Sequence, residues 1–93
     1  MKISTQRKKA EDIKFIALDY EDIGKTLESQ GKVDDALEYL KKSLKSFMNY
    51  YEMEPSSFYL NSINKLRSHM ADLYKQQGKD EEAEEILKST KED

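Results

Sequence analysis

Apolar positions step by three and four along most of this chain, the spacing that lines one face of an α-helix. Ile13, Ile16, Ala17, Tyr20, Ile23, Gly24 and Leu27 form the first stripe and predict a helix over about 8–30. Val33, Ala36, Leu37, Leu40, Leu44, Phe47 and Tyr51 form the second, predicting a helix over about 33–53. Asp34 and Asp35 open it with charges that favour a helix N-terminus, and Gly31 before it supplies the backbone freedom of a tight turn. Glu54-Pro55-Ser56-Ser57 then breaks the pattern, because Pro55 disfavours helix in the preceding residue and Ser56 can cap the next helix. A third helix is expected from there to Gln77-Gly78, burying Leu60, Ile63, Leu66, Met70, Leu73 and Tyr74, with Arg67 and Ala71 beside them. A fourth opens on Asp80, Glu81 and Glu82 and buries Ala83, Ile86 and Leu87, and the tail Lys91-Glu92-Asp93 is expected to fray.

Two windows of this pattern repeat. Residues 31–43 read GKVDDALEYLKKS and residues 78–90 read GKDEEAEEILKST. Gly, Lys, Ala, Glu, Leu and Lys fall at identical offsets, and the two acidic positions match in charge. The start points lie 47 residues apart (78 − 31). Within each copy, 12 residues separate the small residue of the first helix from that of the second (Gly24 to Ala36, Ala71 to Ala83).

These residues resemble the tetratricopeptide repeat, a helical hairpin with the pattern W-x2-L-G-x2-Y followed by A-x3-F. Tyr20, Ile23, Gly24 and Leu27 stand at the first four positions, Gly31 at the turn, and Ala36 and Leu40 at the last two. In the second copy Arg67, Met70, Ala71 and Tyr74 are followed by Gly78, Ala83 and Leu87. Arg67 replaces the family's Trp, and Ser43 and Thr90 replace a small apolar residue near the end of each second helix. The resemblance covers about 17–90 and implies an all-α fold: two antiparallel hairpins stacked as a short right-handed array. One domain over 1–93 is expected, with hairpins over 8–53 and 56–91. The 47-residue period exceeds the usual length of about 34, the extra residues falling around 48–60. Such long repeats, with a Pro-containing loop, are loosely similar to those of kinesin light chains, which bind cargo adaptors. An unrelated four-helix bundle would use the same apolar stripes; the matched turn windows favour the repeat.

Composition narrows the function. Ala, Glu, Lys, Leu and Arg make up 41 of the 93 residues, and only one Pro and three Gly interrupt them, a balance suited to long helices with wide solvated faces. The net charge of −3 mixes both signs. It offers no sustained basic face for nucleic acid, since Arg7, Lys8 and Lys9 run directly into Glu11 and Asp12. No apolar run is long enough for a membrane span and no signal-peptide pattern opens the chain. Without Cys there is no disulfide framework, and a cytoplasmic location is expected. A single His and the absence of Cys and of a glycine-rich phosphate loop leave no nucleophile, metal or nucleotide constellation. The expectation is a non-enzyme with no cofactor and no small-molecule substrate. His69 reads as a structural or solvent-facing residue, and Glu81, Glu82, Glu84 and Glu85 read as a solvated helix start.

The resemblance places a partner-binding groove on the first helix of each hairpin. Its candidate residues are Leu18, Glu21, Lys25 and Glu28 from the first helix and Lys65, His69, Asp72 and Lys75 from the third. Co-chaperone members of the family grip acidic tails with Lys and Asn on that helix. Here Glu21 and Lys25 occupy the corresponding places, and Asp72 would repel such a tail. The aromatics Phe47, Tyr50, Tyr51, Phe58 and Tyr59 gather around Pro55, either pinning the elongated hairpin end or lining a binding surface. Arrays of this kind need about three repeats to bury a continuous core: either the long helices compensate, or the chain is one piece of a larger protein, or it self-associates. The exposed side of the third and fourth helices is expected to meet another copy or a partner. The function expected is a protein-interaction adaptor for a peptide or helix of another protein, with self-assembly into a homodimer as the alternative.

Overall fold

A computed structural model describes residues 2–88 of the chain, with side chains described from Lys9 onward. Four helices follow one another: α1 (Lys2–Ser29), α2 (Val33–Met53), α3 (Ser57–Gln76) and α4 (Asp80–Lys88). The boundaries of α2 and α3 fall where Gly31 and Pro55 place them. α1 starts earlier than the stripe predicts, because helix needs no apolar face to continue through Lys2–Lys8 and no Gly or Pro interrupts it there. The side chains of Arg7 and Lys8, the position of Thr90 and the tail 91–93 lie outside the described residues.

The twin windows close two turns of one geometry. After α1, Gly31 takes φ +81°; its N–H donates to the Glu28 carbonyl and Lys32 N–H to that of Leu27, both at 2.9 Å. After α3, Gly78 takes φ +77°, its N–H donating to Lys75 at 2.9 Å and Lys79 N–H to Tyr74 at 2.8 Å. This crossed pair satisfies the last carbonyls of a helix and requires a left-handed residue between them. Ala36 N–H to Lys32 and Ala83 N–H to Lys79 then start the next helices. The two turns also meet. Gln77 Nε2 donates to Asp34 Oδ1 at 2.7 Å, and Lys79 Nζ lies 3.8 Å from the same oxygen. At the far end, the Ser56 hydroxyl accepts from Phe58 N–H at 3.2 Å and caps α3.

Each helix packs on the next in chain order, α1 on α2, α2 on α3 and α3 on α4, whereas the backbones of α1 and α3 stay apart. Helices packed as successive hairpins, without a strand among the described residues, make an all-α array. α1 meets α2 through a seam of small residues seven apart, Ala10, Ala17 and Gly24, all buried. A Cβ added to Gly24 would stand 2.7 Å from Leu40 Cδ2 and 3.2 Å from the Ala36 carbonyl oxygen. Leu40 and Ala36 are themselves wholly buried, so neither can retreat. Ser43 belongs to the same seam, its buried hydroxyl donating to the Ala17 carbonyl at 2.7 Å. The core beyond it joins Leu37, Leu44 and Phe47 to Ile63, Leu66, Met70, Leu73, Tyr74 and Ala83.

Four residues assigned to the core by periodicity lie outside it: Ile16, Ile23, Leu60 and Leu87 are each more than a third exposed. The seam turns Ile16 and Ile23 to a side of α1 that no described helix covers. In the described part of α4, Ala83 is buried and Ile86 half-buried against the core, which leaves Leu87 at the surface.

Ala36→Leu is expected to lower stability by about 1–3 kcal/mol, since the added carbons have no room at this crossing; urea unfolding with an unchanged m-value would show it. Gly31→Ala and Gly78→Ala should each lower stability by about 1–2 kcal/mol through left-handed strain alone. Neither turn has an atom within 4 Å of the added Cβ, so near-equal losses in the two turns are the expected melting result.

Candidate functional site

With α1 and α3 held apart by α2, their facing sides form an open cleft of about 610 Å³, within the range of about 300–1,000 Å³ that ligand pockets occupy. Its base is Phe47 of α2 and Leu66 of α3, its walls Leu18, Phe58 and Tyr59, and its rim Glu21, Lys25, Ser62, Lys65 and His69. Of the eight candidate groove residues, five line the cleft: Leu18, Glu21, Lys25, Lys65 and His69. Glu28 stands beside them, its Oε1 2.7 Å from His69 Nε2. That contact joins the two walls and gives the single histidine a positioning partner. Asp72 and Lys75 are exposed on α3 and are not part of the lining.

Charge around the cleft is unevenly compensated. Lys25 Nζ pairs with Glu21 Oε2 on its own helix at 3.4 Å, a surface pair worth little. Lys65 forms no ion pair among the described residues. Positions related by 47 residues also differ in character: Leu18 against Lys65, Lys25 against Asp72, Glu28 against Lys75. The two walls therefore present different chemistry on one backbone.

The aromatic group divides between support and surface. Phe47 and Tyr50 are buried and Tyr51 is half-buried. Tyr59 stacks edge-on against Tyr50 at 4.7 Å between centroids, and Phe58 against Tyr59 at 5.0 Å. Lys14 Nζ of α1 lies 5.9 Å from the rings of both tyrosines, within cation–π range. Phe58 completes the chain of rings yet is 68% exposed. Periodicity does not single out Phe58; the sequence marks it as one of the aromatics gathered around Pro55.

Arg67, at the repeat position of Tyr20, is buried. Its Nη2 donates to Met48 Sδ of α2 at 3.5 Å, and burial pushes the guanidinium below the ordinary arginine range. The remaining repeat positions divide in the same way. Gly24, Ala36, Leu40, Met70, Ala71, Tyr74 and Ala83 are buried, Tyr20 and Leu27 half-buried, and Ile23, Gly31, Gly78 and Leu87 exposed. Among the described residues no three His, Asp or Glu side chains cluster as a metal site, and no helix is long and apolar enough to cross a membrane.

Residues 20–52 and 65–89 match the family profile described as Tetratricopeptide repeat. No curated protein and no solved structure matches the chain.

Burial, followed by the neighbouring Tyr59, raises the Tyr50 phenol above its ordinary value, Lys14 opposing them. The unfolded chain, with a tyrosine near the ordinary value of about 10, loses this proton first. The contribution is therefore intact below about pH 10 and is lost as pH climbs through the folded value. Tyr50→Phe should flatten the alkaline decline in melting temperature, and phenolate absorbance should show one late-titrating tyrosine in the parent chain that is missing from the variant.

Proposed function

The chain belongs to the tetratricopeptide repeat family, whose repeats are in general protein–protein interaction modules, and from that premise we propose that it is a non-catalytic adaptor. One domain over 1–93, acting in the cytoplasm, holds a peptide or helix of another protein in the cleft between α1 and α3. The observation that carries the reading is Phe58, an aromatic two-thirds exposed at the mouth of an apolar cleft. Exposed aromatics backed by packed aromatics are the groups that dominate binding energy when covered, because they bury large area with little loss of rotamer freedom. Tyr59 and Tyr50 hold this ring from behind, so it is presented already oriented. The polar rim fixes direction: Lys65 forms no ion pair among the described residues, while Glu21 and Glu28 are engaged by Lys25 and His69.

Phe58→Ala should weaken a cleft-bound peptide by more than about 1 kcal/mol. It should lower stability by no more than about 0.5–1.5 kcal/mol, the worth of its edge-on stack on Tyr59, because the ring is two-thirds exposed. Peptides selected by display against the whole chain, then mapped by amide chemical shifts, supply the measurement. Shifts at Leu18, Phe58 and Lys65 with loss of affinity in the variant are the expected result. Selected peptides that bind the variant as well as the parent would refute the cleft as the site.

A further inference from the structure

The 47-residue repeat allows one face of α1 to be compared with a face of α3 that the chain itself covers. Ile16, Tyr20, Ile23 and Leu27 correspond to Ile63, Arg67, Met70 and Tyr74. The α3 residues are all buried, and Arg67 reaches Met48 of α2, so α2 is the helix laid on that side of α3. In α1 the corresponding Ile16 is 47% and Ile23 41% exposed. The same surface exists twice, once under an amphipathic helix and once with Tyr20 and Leu27 half-buried, Tyr20 beside Tyr39 of α2, but with Ile16 and Ile23 open.

The two surfaces differ along one edge. Tyr59, Leu66 and Leu73 of α3 are replaced on α1 by Asp12, Asp19 and Thr26, all three exposed. A helix as apolar as α2 laid there would strip water from two carboxylates without returning a partner, which is costly. A helix with Lys or Arg seven residues apart along that edge would instead meet Asp12 and Asp19 in turn. We propose that the outer face of α1 docks a basic amphipathic helix of another protein: an apolar strip over Ile16 and Ile23, with two cationic side chains against Asp12 and Asp19. This face lies on the opposite side of α1 from the cleft, so a partner here does not compete for the cleft.

A second copy of the chain does not meet these requirements. The helix it would offer in head-to-tail stacking is α4, whose exposed residues Asp80, Glu81, Glu82, Glu84 and Glu85 repel Asp12 and Asp19. Glu84 also stands where α2 has the buried Leu37. The exposed faces of α1 and α4 thus carry the same sign, which opposes stacking one on the other.

Two synthetic helices of equal length, sharing the apolar spacing of α2 and differing only in two edge residues seven apart, Lys in one and Glu in the other, test the proposal against the whole chain. The Lys peptide should bind at least about tenfold tighter, lose that margin at high salt, and shift the amide signals around Ile16 and Ile23. Asp12→Lys with Asp19→Lys, both at exposed positions, should reverse the preference in favour of the Glu peptide. Ile23→Lys should abolish binding of either peptide, while Phe58→Ala should leave it intact and so separate this face from the cleft. Equal affinity for the two peptides, shifts confined to Phe58 and Tyr59, or a concentration-dependent dimer that Ile23→Lys dissolves would each overturn it.

Discussion

The approach of α1 to α2 through Ala10, Ala17 and Gly24 is the constraint on which the remaining architecture rests. Dispersion and burial reward close packing only where side chains leave room for it, and at Gly24 the room is less than one methyl group. Because small residues occupy the seam, the larger apolar residues of α1 are displaced to its two flanks. Leu18 goes to one flank, where Phe47 and Leu66 stand below it and the cleft opens. Ile16 and Ile23 go to the other, where no described helix covers them. A bulky residue in the seam would push the helices apart and move both surfaces together.

Ser43 shows how the seam tolerates a polar residue. A buried hydroxyl without a partner costs about 1–3 kcal/mol, but this one donates to the Ala17 carbonyl at 2.7 Å. The bond ties α2 to the middle of α1 within the small-residue seam. The substitution of serine for a small apolar residue is therefore compatible with tight packing, since the second lone pair of a helical carbonyl is available to it.

The two hairpins share their turns and differ on their faces. Gly31 and Gly78 close the same crossed pair of hydrogen bonds, whereas Leu18 and Lys65, or Asp19 and Leu66, give equivalent positions opposite chemistry. Turn geometry is dictated locally by one left-handed residue and so survives repetition. Faces answer to whatever lies opposite them, and α1 and α3 have different neighbours. This division leaves the facing sides of α1 and α3 chemically different, with α2 holding them apart.

Helix ends and repeat were legible in the chain because their causes are local: a Gly after each first helix, a Pro between hairpins, a Ser able to cap, and small residues at fixed intervals. Five cleft residues were legible as well, because a helix of known phase sends Leu18, Glu21 and Lys25 to one side. Tertiary structure decided the rest. Periodicity states which residues share a face, but burial depends on a second surface standing opposite; Ile16 and Ile63 carry the same side chain at the same repeat position, and only Ile63 is covered. The Glu28–His69 contact, the stack behind Phe58 and the exposure of Leu87 likewise depend on distances between helices, which no spacing within a single helix contains.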